Sequence, residues 1–115
     1  MNDHDWRILP PAGDPACPAL RISRQMVRIT RELWDGMSRP KAIDFWVDYD
    51  ANRFGLAAGD LHVVREYEPD HALRIHSTMP ARVVSKRSHG VWLSCVRGSS
   101  GVWYAQVFLD RQRQM

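Results

Sequence analysis

The sequence predicts an α+β fold in which mostly antiparallel strands form a curved sheet or a partly open barrel, with one short helix at about residues 31–37. Apolar and polar residues alternate along several short segments, which is the pattern of half-buried strands. The segment after Thr30 instead shows the three-to-four-residue apolar spacing of a helix. Turn residues separate these segments, and 115 residues is the length of one domain.

The first twenty residues are expected to form a proline-rich N-terminal arm, and residues 21–115 a single domain. Proline fixes φ and has no N–H group, so a proline-rich stretch forms neither a helix nor a central strand. The first strand is expected to begin at residues 20–23. The prolines of the arm are Pro10, Pro11, Pro15 and Pro18.

A strand–helix–hairpin unit follows the first strand. Residues 27–29 alternate apolar and charged side chains, as a short strand does. The hydroxyl of Thr30 can accept a hydrogen bond from a free N–H group in the first turn of a helix at residues 31–37. Strands at 43–49 and 54–57, joined by a polar turn, complete the unit.

The second half of the chain is predicted to contain strands at residues 61–67, 72–76 and 82–85. Two apolar runs at 91–96 and 102–109 are joined by a Gly/Ser loop, which indicates a hairpin. Both runs are apolar on both faces in places, so the hairpin is expected to be central in the sheet. Three tryptophans are expected in the core: Trp34, Trp92 and Trp103.

Charge is strongly segregated along the chain, although the net charge is only +3. Residues 21–41 carry six basic side chains and two acidic ones, residues 42–70 carry two basic and seven acidic, and residues 71–109 carry five basic and none acidic. This asymmetry has two interpretations. Either one face of the fold meets a charged partner, or the acidic and basic segments pair with each other inside one sheet.

The sequence contains no recognisable catalytic motif, so an enzyme is not expected and no cofactor or metal is implied. Zinc ligands usually occur in close pairs, such as two His three to five residues apart. Only His71 and His76 come near that spacing, and neither Cys17 nor Cys95 has a neighbouring ligand. Cys95 alternates with apolar residues, which favours packing over nucleophilic chemistry.

The expected location is the cytoplasm, with reduced thiols and no membrane partner. The first five residues are acidic in character, and no apolar signal segment follows them. No apolar run approaches the ~18 residues that a membrane-spanning helix needs.

The leading functional hypothesis is a small, non-enzymatic regulator that binds nucleic acid. Arg24 and Arg28 lie four residues apart and would share one face of a regular strand. Arg31 falls in the first helical turn, where free N–H groups also favour a phosphate. Three further cations extend this patch if the fold brings them near it: Arg82, Lys86 and Arg87.

The alternative hypothesis is an inhibitor of phage or mobile-element type, comparable to anti-CRISPR proteins and polymerase inhibitors. Such a protein binds a nucleic-acid-binding protein complex, because a row of carboxylates can occupy a site that normally holds phosphate. Trp46 lies on the polar face of its strand, between Asp44 and Asp48, where the helix or the N-terminal arm could cover it. If it is exposed, it is typical of a binding hot spot. The corresponding acidic face consists of Asp44, Trp46, Asp48 and Asp50.

Residues 27–58 resemble the AbrB-like group of DNA-binding regulators and antitoxins, which includes the swapped-hairpin transition-state regulators. The stretch Arg28-Ile29-Thr30-Arg31-Glu32-Leu33 stands at the family's step from basic strand to short helix, and residues 43–47 and 54–56 stand for its hairpin. The chain departs from the pattern at Met26, where Gly is usual, and at Thr30, where Pro is usual. The resemblance implies a homodimer that contacts DNA through Arg24, Arg28 and Arg31.

Overall fold

Short strands dominate residues 15–110, the part of the chain that the computed structural model describes. The strands are β1 (Ala19–Ile22), β2 (Met26–Ile29), β3 (Ala42–Asp48), β4 (Arg53–Ala58), β5 (His62–Val63), β6 (Arg65–Tyr67), β7 (Ala72–His76), β8 (Trp92–Ser94), β9 (Val96–Arg97) and β10 (Trp103–Gln106). Two short helices, α1 (Arg31–Gly36) and α2 (Met79–Val83), and a 3-10 turn at Lys86–Ser88 complete these residues. The predicted N-terminal arm lies largely outside the described residues.

The strands form two five-stranded antiparallel sheets that join into a nearly closed barrel. The first sheet has the order β6-β7-β2-β1-β8, and the second has the order β5-β3-β4-β10-β9. The chain crosses between the sheets three times. The first crossing runs through α1, between β2 and β3, and the other two take one residue each: Val64, between β5 and β6, and Cys95, between β8 and β9. Both crossing residues keep a backbone hydrogen bond, from Val64 to Lys41 and from Cys95 to Pro18, each 2.9 Å long. Few edges are therefore left open.

The barrel interior is filled by the apolar half of each alternating strand. In the first sheet these inner residues include Leu20, Ile22, Val27, Ile29, Leu73 and Ile75, and in the second sheet Ile43, Phe54 and Leu56. Burying such a side chain contributes about 1.5–3 kcal/mol to folding. The inner residues thus fix which face of every strand points outward, because neighbouring side chains of a strand point to opposite faces.

Thr30 joins the first strands to helix α1 through one buried hydroxyl. Its Oγ1 accepts hydrogen bonds from the N–H of Leu33, at 3.3 Å, and from the N–H of Ala19, at 3.0 Å. The same hydroxyl donates to the carbonyl of Cys17 at 2.7 Å. The predicted cap of the helix is confirmed, and the same residue also holds the chain that enters β1.

The sheet-rich prediction is confirmed, together with the helix after Thr30 and the hairpin of β3 and β4. Trp34 and Trp103 pack against the core while remaining half-buried. Gly36 allows this packing, because a Cβ at that position would lie 2.7 Å from Cζ2 of Trp103.

Three predictions for the second half of the chain are wrong. The strand predicted at residues 61–67 is divided at Val64 into β5 and β6, which belong to different sheets. Residues 82–85 do not form a strand, since a second helix, α2, occupies the first two of them, with Pro80 in its first turn. The predicted late hairpin is only partly present, because β9 pairs with β10 but β8 pairs with β1 in the other sheet. The run predicted as one central strand is thus split by the crossing at Cys95.

We expect Thr30→Val to lower the free energy of unfolding by about 2–3 kcal/mol, because the isosteric methyl group leaves the buried N–H groups of Ala19 and Leu33 without an acceptor. Urea denaturation followed by circular dichroism measures this change. Thr78→Val is the matched control, since exposed Thr78 precedes α2 without a side-chain cap. Its effect should stay within about 0.5 kcal/mol, and an equal loss in both variants would contradict the role of the Thr30 hydroxyl.

Candidate nucleic-acid interface

Four arginines lie opposite one another across the outer face of the first sheet. The backbone register pairs Arg21 of β1 with Arg28 of β2, Arg28 with Arg74 of β7, and Arg74 with Arg65 of β6. We call these four residues the arginine row. Each alternates along its strand with inward-facing residues, so all four side chains point away from the core.

The outer face around the arginine row carries no acidic side chain at the paired strand positions that the structure describes. Besides the row itself, this face presents Ala19, Met26, Tyr67, Ala72, His76, Trp92 and Ser94. The carboxylate of Glu66 belongs to β6 as well, but that residue alternates with Arg65 and Tyr67 and bonds Arg31 instead. Among the described strand positions of this face, the side chains that carry a permanent charge are therefore all basic.

Aromatic rings flank the arginine row on both sides. Trp92 pairs with Arg21 in the register of β8 and β1, and its ring centroid lies 5.5 Å from Cζ of Arg28. At the other end, Cζ of Arg74 lies 4.8 Å from the ring centroid of Tyr67. Such cation–π contacts hold guanidinium groups in place without neutralising their charge. Trp92, predicted to be a core residue, lies instead on this outer face, because the chain changes sheets three residues later.

Arg65 and Arg74 place two like charges directly opposite each other on the outer face of the first sheet. Like charges directly opposite each other in a sheet are destabilising, by roughly the 0.2–1 kcal/mol that an opposite-charge pair contributes. The Nε atom of Arg74 is buried and makes no hydrogen bond within the described part of the chain. A buried donor of this kind calls for an acceptor.

The predicted basic patch is divided among several places. Arg28 belongs to the arginine row, whereas Arg24, Arg82 and Lys86 line a separate cleft at one end of the barrel. Arg24 comes from the turn between β1 and β2, Arg82 from α2, and Lys86 from the 3-10 turn. We call this the basic cleft.

Arg31 and Arg87 do not join either basic group. The guanidinium of Arg31 bonds the Glu66 carboxylate at 2.8 Å, and this bond holds the pKa of Glu66 below its ordinary value, with help from His71. The charge of Arg31 is thus already matched inside the protein. Arg87 lies 4.0 Å from the ring centroid of Phe108, in a different groove from Lys86.

The predicted acidic face lies on the second sheet. Two of its three carboxylates accept hydrogen bonds from backbone N–H groups of nearby turns. Asp44 accepts hydrogen bonds from the N–H groups of Asp60 and Leu61, both at 3.0 Å, and Asp48 accepts one from Ala51 at 3.1 Å. Asp50 is exposed in the turn that follows β3.

Trp46 is the exposed feature of this face, as 55% of its surface is accessible. It borders a groove, here called the Trp46 groove, that has Tyr104 and the loop at Ser99 and Ser100 among its other walls. Gly55 contributes the floor between Trp46 and Tyr104, since it is the register partner of both residues.

The charge segregation of the sequence therefore appears as two faces of one barrel. The arginine row is on the first sheet, whereas Asp44 and Asp48 are on the second. Among the strand residues that the structure describes, one acidic residue is paired directly with a basic one in a sheet. This pair is Asp48 of β3 and Arg53 of β4. Pairing of opposite charges in direct register within one sheet is thus limited to this pair among the described strand residues.

Sequence reasoning missed most of the arginine row and both of its aromatic residues: Arg21, Arg65, Arg74, Tyr67 and Trp92. Arg21 and Arg74 each lie between two apolar neighbours, which is a detectable signal for an outward position on a strand, whereas Arg65 is followed by Glu66 and lacks that signal. Their alignment depends on the pairing of four strands, and the register of that pairing is absent from local sequence patterns.

The described residues contain neither a group of side chains suited to a metal ion nor a cysteine suited to act as a nucleophile. No group of three His, Cys, Asp or Glu side chains within residues 15–110 could hold a metal ion. Cys17 and Cys95 are both free thiols. Burial raises the pKa of Cys95 to about 12, so its thiol stays protonated and is poorly suited to nucleophilic chemistry.

No helix between residues 15 and 110 has the length and apolar character needed to cross a membrane. Comparison of the chain with protein-family models, with curated proteins and with solved structures gives no match. The resemblance to AbrB-like regulators stays a prediction, and the functional argument depends on the chemistry of the two faces.

We expect Cys95 to resist alkylation in the folded protein. With a pKa of about 12, only about one molecule in ten thousand carries the reactive thiolate at pH 8. In a Cys17→Ser variant, mass spectrometry should detect no iodoacetamide adduct at pH 8 until denaturant is added. The Cys95→Ala variant is the comparison, because its remaining Cys17 is partly exposed and should label in the folded state. Rapid labelling of folded Cys17→Ser would contradict the buried, protonated thiol.

Proposed function

We propose that this protein is a non-enzymatic regulator that binds single-stranded nucleic acid across the outer face of its first sheet. The observation that carries the proposal is the register of Arg21, Arg28, Arg74 and Arg65, which aligns four guanidinium groups with aromatic rings at both sides. Phosphate is the matching anion, because the planar guanidinium group donates two parallel hydrogen bonds to it.

The dimensions of the row suit a short stretch of nucleic-acid backbone. Neighbouring strands are ~4.8 Å apart, so the Cα atoms of Arg21 and Arg65 are separated by about 14 Å across three strand spacings. Several consecutive phosphates can lie within reach of such a row. Because these contacts involve the backbone alone, they position a strand without reading its sequence.

Single strands fit this face better than a duplex does. Trp92 and Tyr67 are partly exposed beside the row, and unpaired bases stack on such rings with about 1–3 kcal/mol per base. A duplex keeps its bases stacked inside and offers them to protein elements that enter a groove. Here the arginines lie on the side of a barrel, where a flexible strand can follow the sheet.

We propose a cytoplasmic location for this activity. Cys17 and Cys95 are both free thiols, which is the usual state in a reducing compartment.

The first test is the salt dependence of binding to a fluorescent single-stranded oligonucleotide, measured by anisotropy. Each phosphate contact contributes about −0.7 to the slope of log affinity against log salt, so four contacts give a slope of about −2.8. Arg74→Gln should weaken binding and make the slope shallower by about 0.7.

Arg53→Gln is the matched control for Arg74→Gln. Both arginines stack on a tyrosine, since Arg53 lies 4.3 Å from the ring centroid of Tyr104, but Arg53 is on the second sheet. The control should keep the wild-type slope. Equal slopes for Arg74→Gln and the wild type, or no salt-sensitive binding by the wild type, would contradict the proposal.

A second candidate function is inhibition of a nucleic-acid-binding protein complex through the Trp46 groove. The observation that favours it is the exposure of Trp46 beside Tyr104 on the face that carries Asp44, Asp48 and Asp50. A large aromatic side chain in a concave site is typical of a binding hot spot. This face and the arginine row belong to different sheets, so the two functions can be tested separately.

We expect Trp46→Ala to abolish capture of such a complex from nuclease-treated lysate if this second function holds, because truncating a hot-spot Trp costs about 2 kcal/mol or more in binding. Phe108→Ala is the control, as Phe108 is a similarly exposed aromatic residue, with 51% of its surface accessible, in another groove. Circular dichroism should find both variants folded. Undiminished capture by Trp46→Ala would exclude this groove.

A further inference from the structure

The basic cleft brings cations from three separate segments to one end of the barrel. Arg24 belongs to the β1–β2 turn, Arg82 to α2 and Lys86 to the 3-10 turn. Thr78 and His89 also line the cleft, whose volume is about 740 Å³. That volume is within the range of sites that enclose a small molecule or a terminal group of a larger one.

The charges of this cleft are unmatched within the described chain. No acidic residue lines it, and the ion pairs within residues 15–110 do not include Arg24, Arg82 or Lys86. His89 is held in place by a hydrogen bond from its Nε2–H to the carbonyl of Val84 at 2.7 Å. In the neutral ring this tautomer leaves Nδ1 as an acceptor.

We propose that the basic cleft binds a phosphate monoester, namely the phosphate at the end of the nucleic-acid strand that crosses the arginine row. This inference rests on the proposed function. A phosphate monoester carries about −1.5 to −2 charge at pH 7 and offers three acceptor oxygens, whereas an internal phosphodiester carries a single charge. Three converging cations therefore favour an end phosphate over the backbone phosphates.

The position of the cleft relative to the arginine row supports an end-binding role. Arg21 and Arg28 are paired in the hairpin of β1 and β2, and Arg24 lies in the turn of that same hairpin. Arg28 and Arg24 are four residues apart, so at most about 13 Å of chain joins them. The arginine row runs across the strands, whereas the cleft lies beyond the β1–β2 turn along the strand direction. A nucleic-acid strand that crosses the row places its end in the cleft by bending toward this turn.

The test compares oligonucleotides of one sequence that carry a phosphate at the 5′ end, at the 3′ end or at neither end. We expect one of the phosphorylated strands to bind wild-type protein about tenfold more tightly than the unphosphorylated strand, which is a modest effect for a charge-assisted site. Arg24→Gln and Lys86→Gln should each remove most of this advantage while leaving the affinity for the unphosphorylated strand within about twofold.

Arg87→Gln is the matched control, because it removes the same charge one residue from Lys86 but in a different groove. It should retain the full preference for the end phosphate, and a loss equal to that of Lys86→Gln would overturn the assignment to the cleft. Equal wild-type affinity for all three strands would overturn the inference and leave the arginine row proposal standing.

Binding of a nucleoside monophosphate tests whether the cleft takes a free phosphate monoester rather than the end phosphate of a nucleic-acid strand. Direct binding of the free monophosphate, measured by isothermal titration calorimetry and lost in Arg24→Gln, would retain the monoester site and overturn the proposed function if the wild-type protein binds no oligonucleotide. Absence of binding to both the monophosphate and the phosphorylated strands would overturn the site itself.

Discussion

The inward packing of apolar side chains in the first sheet is the constraint from which the basic face follows. Ile22, Val27, Ile29 and Ile75 are fully or almost fully buried, and they alternate with residues that must point outward. A slip of one residue in any strand would turn its apolar side chains to solvent and its arginine into the core. The packing that stabilises the barrel thus also fixes the arginines opposite one another.

Closure of the barrel gives the two sheets different surroundings and different chemistry. The crossings at Val64 and Cys95 carry the chain from one sheet to the other, so each sheet has an outer face of its own. The first outer face is basic with flanking aromatic rings, and the second combines carboxylates with an exposed Trp46. Two binding surfaces of opposite character can therefore coexist on one small domain without neutralising each other.

The two basic features differ in how the fold builds them. The arginine row lies on regular strands whose register is held by the core, so its spacing is rigid. The basic cleft instead combines Arg24, Arg82 and Lys86 from a turn, a short helix and a 3-10 turn. The cleft holds like charges close together, which conflicts with stability alone, and such conflicts are expected at functional sites.

The sequence by itself determined the local elements: the Thr30 cap, the helix after it and the β3–β4 hairpin all follow from propensity and alternation over a few residues. It left open whether Trp46 is exposed or covered, and the structure decided that it is exposed. Only the tertiary structure decided which strands are neighbours. Arg21 and Arg74 are far apart in sequence, yet both pair with Arg28. The outward position of Trp92 likewise depends on where the chain changes sheets. Local patterns encode which face a residue takes, whereas strand order and register depend on the packing of the whole core.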